Sequence, residues 1–182
     1  MKINVKNLPG EGRTYRLTKS DEWLSTVLPE SREPHFSIDD ASVTCFVSRT
    51  GRTVNLRGTL ETDVHLECCR CLKKFTLAVK AEFTYTLIPV DNMPEGEEVE
   101  LTGEDLGFGY YKDDTVDLDP IILEQVILQI PIKPLCRESC KGLCPVCGID
   151  LNRQSCNHQT EVFESPFAVL KKLKVKNANN KQ

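Results

Sequence analysis

The chain of 182 residues has few aromatics (7%), a single Trp and only two Met, and it lacks a strong excess of charge. Its 23 Lys and Arg stand against 27 Asp and Glu, a formal charge of −4, which excludes a chain that binds polyanions through overall basicity. No run approaches the ~18 consecutive apolar residues of a transmembrane helix, so no membrane partner is expected. The opening Met1-Lys2-Ile3-Asn4-Val5-Lys6 lacks the apolar stretch of an export signal, which predicts a cytoplasmic protein. There is no P-loop, no Gly-x-Ser-x-Gly elbow and no matched general acid and base, so neither enzymatic activity nor a small-molecule substrate is expected. What the chain does have is enough apolar residues (40%) for one globular core, and nine cysteines. An odd cysteine count without an export signal turns the reading from disulfides to metal or redox chemistry.

The mean charge conceals segregation. Between Asp91 and Asp119 eleven acids (Asp91, Glu95, Glu97, Glu98, Glu100, Glu104, Asp105, Asp113, Asp114, Asp117, Asp119) face one base, Lys112. That segment carries −10 and leaves +6 on the remainder. Residues 165–182 hold Lys171, Lys172, Lys174, Lys176 and Lys181 and no acid. An acidic loop beside a basic remainder admits anionic partners that the average would exclude.

Hydrophobic periodicity predicts an α+β fold, with an antiparallel sheet or partly closed barrel and a packed helix. Short strands flank the turn Pro9-Gly10-Glu11-Gly12, and Asp21 is placed to cap a short helix burying Trp23, Leu24, Val27 and Leu28. From Ser42 to Val90 the period is two: Val43, Cys45 and Val47, then a turn at residues 49–52. It resumes at Val54, Leu56, Gly58 and Leu60, then Val64 and Leu66, and finally Phe75, Leu77, Val79, Ala81, Phe83, Tyr85 and Leu87. Such alternation buries one face of a sheet. Residues 92–111, rich in Gly and Pro among the acids, read as loop, with a further strand at residues 115–118. Asp119-Pro120 reads as a cap and first helical residue for the apolar helix 121–130, which Pro131 and Pro134 end. Ser165-Pro166 starts a C-terminal basic helix. The organisation expected is a mainly β domain over residues 1–135, with an acidic loop at 91–114, and a Cys-rich segment with that helix over 136–182, the two integrated.

Cys144-Pro145-Val146-Cys147-Gly148 has the form of a zinc knuckle. Two intervening residues aim both thiolates at one ion, and the glycine permits the tight turn that frees amides to bond the sulfurs. Cys68 and Cys71, in Cys68-Cys69-Arg70-Cys71, have the same spacing. The ligand-capable pairs are therefore Cys68/Cys71, Cys136/Cys140, Cys144/Cys147 and Cys156/His158. A closed structural zinc site takes four donors. Loop closure is shortest for Cys136, Cys140, Cys144 and Cys147, which are the expected Zn2+ ligands. Cys156 and His158, or Cys68 and Cys71, are the alternatives. Cys45 reads as core and Cys69 as left over. His35 and His65 read as surface or satisfied histidines. A thioredoxin-type role finds no βαβ context around either CxxC, and an iron–sulfur site suits the knuckle less well than zinc.

These features in this order resemble the bacterial YceD family, also called the large ribosomal RNA subunit accumulation protein. The resemblance rests on Leu66-Glu67-Cys68-Cys69-Arg70-Cys71-Leu72, the acidic loop, Ile130-Pro131-Ile132-Lys133-Pro134-Leu135-Cys136, and Cys140-Lys141-Gly142-Leu143-Cys144-Pro145-Val146-Cys147-Gly148. It continues through Asp150-Leu151-Asn152 and Ser165-Pro166-Phe167-Ala168-Val169-Leu170, covering roughly residues 40–175. It implies a cytoplasmic, non-enzymatic role in accumulation or processing of 23S rRNA and in large-subunit assembly. The implied partners are large-subunit rRNA, a ribosomal protein or a precursor particle. Some members of the family keep the first cysteine pair and lose much of the second block, which favours a local site in that block. His158 stands where the family often has cysteine, and zinc accepts either. Lys73, Lys74, Lys141, Lys171, Lys172 and Lys174 would supply phosphate contacts. The alternative function is a thiol-based redox or metal-handling protein using the CxxC pairs.

Overall fold

Strand alternation is realised over unusually long elements. The computed structural model describes residues 1–28, 35–92 and 108–158. The chain divides into two units, Met1–Cys140 and Lys141–Gln182. The division falls five residues after the expected boundary, because Cys136 and Cys140 gather with side chains of the first unit.

In the first unit, β1 (Lys2–Asn4) leads through a 3-10 turn to β2 (Arg13–Lys19), α1 (Asp21–Val27) and β3 (Ser37–Ile38). Next come β4 (Ala41–Thr50), β5 (Thr53–Glu67), β6 (Lys74–Pro89), β7 (Phe108–Tyr111), β8 (Thr115–Asp117) and α2 (Leu118–Gln129). The main sheet runs β2-β4-β5-β6-β7 with β3 paired to β5, and it is open, not closed into a barrel. Its core face carries Val43, Cys45, Val47, Val54, Leu56, Leu60 and Val64, each at most 2% exposed. Burial pushes the Cys45 thiol up to about 11, so it stays protonated and packs as a small hydrophobe.

Two features differ from the sequence expectation. Residues 108–111, expected as loop, form β7, which pairs parallel to β6 with Leu87 opposite Gly109. A Cβ at Gly109 would lie 2.5 Å from the Leu87 side chain, so the glycine that looked like a loop marker permits close packing. Asp113 and Asp114 then both take positive φ (53° and 52°) in the tight turn to β8, a conformation aspartate tolerates better than most residues. The remaining acidic segment, 93–107, the C-terminal helix and Lys171, Lys172 and Lys174 lie outside the described residues.

The second difference is at the helix starts. Ser20, not Asp21, is the cap residue of α1, and the Asp21 carboxylate accepts from the Ile38 amide at 3.1 Å. Similarly α2 begins at Leu118, capped by Asp117, whose carboxylate accepts from the Asp119 amide at 3.1 Å. Proline fits anywhere in the first turn, whose N–H groups have no helical acceptor, so Pro120 does not by itself mark the first helical residue. Asp119 is thereby released to accept from Lys19 Nζ (2.5 Å) and Trp23 Nε1 (2.9 Å) and to pair with the Met1 amine.

Burial alone would raise the Asp119 pKa, but the Lys19, Met1 and Trp23 donors together hold it below the usual 3.8. A depressed folded-state pKa stabilises the fold fully above the unfolded value, and that contribution is lost as pH falls through the folded one. Asp119→Asn should therefore cost about 1–3 kcal/mol at neutral pH. It should also flatten the loss of stability below about pH 4. Urea titrations at a series of pH values would show both effects, and an unchanged acid limb would exclude the role.

Candidate metal centres

The β5–β6 hairpin places the first cysteine pair. Residues 68–73 form its tip, where the Cys68 amide donates to the Lys73 carbonyl and the Leu72 amide to the Cys68 carbonyl, both at 2.9 Å. After α2 the chain runs alongside that tip, and Pro134 O accepts from the Cys69 amide at 2.9 Å. Cys136 and Cys140 thereby reach Cys68 and Cys71, with all four sulfurs within 4.8 Å of one another. The Cys68–Cys140 and Cys71–Cys136 sulfur separations are both 3.8 Å. Four thiolates bonded to one zinc at about 2.3 Å would lie about 3.8 Å apart in a tetrahedron. No disulfide joins any of the nine cysteines, so none explains these approaches.

The second group forms within the second unit from Cys144, Cys147, Cys156 and His158, again within 4.8 Å of one another, with Cys144 Sγ 4.0 Å from His158 Nδ1. Its turn repeats the first one bond for bond. The Gly148 amide donates to the Cys144 carbonyl at 2.9 Å, and the Cys144 amide to the Ile149 carbonyl at 2.8 Å. Gly148 has φ +72° and Leu72, at the matching place, φ +57°. Glycine adopts this conformation freely, whereas leucine does so at about 1 kcal/mol. The Asp150-Leu151-Asn152 stretch closes the unit from behind: the Lys141 amide donates to Asn152 Oδ1 at 2.9 Å and the Leu151 amide to the Gly142 carbonyl at 3.0 Å.

The two knuckles also polarise their sulfurs alike. Burial raises the Cys68 pKa, but the amides of Cys136, Arg70 and Cys71 outweigh it and bring the thiol down to about 6. The amides of Cys147 and Val146 bring Cys144 to about 6 against burial. Burial, then the neighbouring thiols of Cys71, Cys140 and Cys68, push Cys136 up to about 12. Each group so holds one favoured thiolate, beside Cys71 and Cys136 in the first and Cys156 in the second, whose thiols resist ionising without a cation. Four such donors could hold a metal ion, with sulfur charge balanced by amides and by that ion.

The set expected from loop closure, Cys136, Cys140, Cys144 and Cys147, is thus divided between the two groups. Closure entropy disfavours long loops only when nothing else closes them. Here the strand pairing of β5 and β6 and the return of the chain past α2 have already brought residues 68–71 and 136–140 together. Cys69 is exposed and its side chain lies outside both groups. His65 is satisfied by Thr76 Oγ1 at 3.1 Å and Asp39 Oδ1 at 2.9 Å. Lys73 and Lys74 are exposed at the hairpin tip, and Lys141 is exposed in the second unit. The sequence signal for the matched turns was the repeated CxxC, but the glycine-like position of Leu72 carries no sequence signal.

Among the described residues no helix is long and apolar enough to cross a membrane. No solved structure matches the chain. An uncharacterized protein of Mycobacterium tuberculosis is 32% identical over 124 residues, covering 68% of this chain but 57% of that protein. The chain therefore spans little more than half the length of its mycobacterial relatives. The large ribosomal RNA subunit accumulation protein YceD of Haemophilus influenzae is 28% identical over 143 residues, 76% of each chain. The chloroplastic YCED homolog 1 of Zea mays is 25% identical over 131 residues, 60% of this chain and 45% of that one. The family described as large ribosomal RNA subunit accumulation protein YceD matches residues 56–174, a span that holds all but the first three residues of the β5–β6 hairpin and every donor of both groups. On that match, the chain belongs to the YceD family.

Proposed function

We propose that this chain is a non-enzymatic cytoplasmic factor for the accumulation or processing of 23S rRNA, and so for assembly of the large ribosomal subunit. A zinc ion in each four-donor group would brace the elements that meet the precursor particle. The observation that carries this reading is that the family match spans both donor groups. The exposed Lys73, Lys74 and Lys141 supply cations for phosphate oxygens, or for the acidic surface of a ribosomal protein. Four convergent donors favour a structural metal over thiol redox chemistry, which needs only an accessible dithiol.

Depletion of the protein from its own cells should lower mature 23S rRNA relative to 16S rRNA. The protein itself should sediment with large-subunit precursors. Ribosomal RNA analysis and sucrose gradients read both, and an unchanged ratio with no co-sedimentation would remove the proposal.

A further inference from the structure

Leu72 is anomalous twice over. Its backbone occupies the left-handed region (φ +57°), where the matching knuckle has Gly148, and its side chain is 57% exposed. A Cβ at Gly148 would meet nothing within 4 Å, so the turn aims a side chain at this position into open space. Leu72 is not among the residues of the core or those packed against it. A leucine here therefore strains the backbone and exposes apolar surface without joining the core among the described residues, whereas glycine would avoid both costs. A strained residue at an exposed tip points to a contact made outside the chain.

The neighbourhood says which contact. Arg70, Lys73 and Lys74 are exposed within the same tip. The Arg70 guanidinium is held by Cys140 O at 2.8 Å, while Lys73 and Lys74 enter no ion pair among the described residues. Ile132, fully exposed, precedes by two residues the Pro134 carbonyl that grips the tip. The tip thus joins an exposed apolar residue to three cations, against one exposed acid, Glu67, opposite Lys74. That net positive, part-apolar surface is complementary to RNA, which offers phosphates on its outside and flat apolar base faces where it is not paired. Paired A-form RNA hides those faces, so the complement is an unstacked nucleotide. Resting on the RNA-contact reading above, we propose that Leu72 packs against the face of an unpaired RNA base while Lys73 and Lys74 hold the flanking phosphates.

Leu72→Gly tests this cleanly, because it relieves the backbone and leaves every metal donor in place. The variant should keep wild-type metal content and an equal or higher unfolding midpoint. Its affinity for a single-stranded oligoribonucleotide carrying a fluorescent purine analogue should fall about tenfold, the loss expected for one exposed leucine contact. Duplex RNA of the same sequence should be bound almost as before. Lys73→Ala/Lys74→Ala should weaken both RNAs alike and reduce the salt dependence. Wild-type affinity in Leu72→Gly beside a weakened lysine variant overturns the role of Leu72 and leaves the RNA reading standing. Loss of metal or a lower midpoint in Leu72→Gly overturns it too, because the leucine would then be structural. Loss of co-sedimentation in Leu72→Gly, with single-strand affinity intact, would assign Leu72 to a protein partner and likewise overturn the proposal. No effect of the lysine variant on either RNA would remove the RNA reading itself.

Discussion

Cys68→Ser should reduce the zinc bound per chain from two ions to one, and Cys144→Ser should do the same through the other ion. The double variant should bind none. The expectation follows from the two separate groups, Cys68, Cys71, Cys136 and Cys140 in one and Cys144, Cys147, Cys156 and His158 in the other. A single site made from Cys136, Cys140, Cys144 and Cys147 predicts the opposite for Cys68→Ser, which would leave the metal untouched. Serine keeps the size of the side chain but not the thiolate, which is the metal-binding form. Cys68 is also the buried sulfur toward which three backbone amides point, so its loss removes the favoured charge of that group. Metal analysis of the purified variants reads the stoichiometry. The sheet should survive the change, because its core of Val54, Leu56, Leu60 and Val64 does not depend on the hairpin tip.

The second large effect is expected on chelation. Among residues 141–158 only Gly142 and Cys144 are buried, so the described part of the second unit has almost no apolar core. A segment that small holds a fixed structure only with a staple. Removing zinc should therefore release the turn at residues 144–149 and its support from Asp150 and Asn152. The β5–β6 ladder should remain. Hydrogen exchange separates the two directly. The amides of Cys144, Gly148 and Leu151, each now bonded to a carbonyl, should lose their protection by orders of magnitude, while amides of Leu56 and Leu60 keep theirs. Acid should mimic the chelator, since protons compete with zinc for thiolates. Protection that persists in the metal-free protein would show that the second group is not a structural site.

The two expectations differ in kind because the two groups are built differently. The first sits on a sheet with its own core, so a metal there would add a tie between a hairpin tip and the chain leaving α2. The second lies in a segment whose other interactions among the described residues are short-range hydrogen bonds, so a metal there would supply much of the folding free energy. With a metal bound, the same local turn would serve one unit as a brace and the other as a core.

How much of this was legible beforehand varies by element. The alternation from Val43 through Leu87 foretold the strands because side-chain direction in a strand depends on nearest neighbours alone. The CxxC spacing foretold both knuckles for a similar reason: a turn closed by bonds between residues four or five apart is a local object. The starts of α1 and α2 were displaced by a residue or two because Asp21 and Asp119 found partners distant in sequence, Ile38 in one case and Lys19 and Trp23 in the other. The strand at residues 108–111 was hidden because its glycine serves close packing against Leu87, and only the pairing with β6 reveals that use.

The poverty in aromatics and the even charge, with nine cysteines set against them, determined by themselves that a metal-stapled sheet was the economical reading of this chain. Which cysteines meet was decided only by the tertiary structure. The spacing of donors along a chain measures the entropy of closing a loop, but strand pairing over 15 and 16 residues and the return of the chain past α2 to the hairpin tip close the long one without a metal. Cys68 and Cys71 were thereby delivered to Cys136 and Cys140, and the nearer cysteines were left to Cys156 and His158.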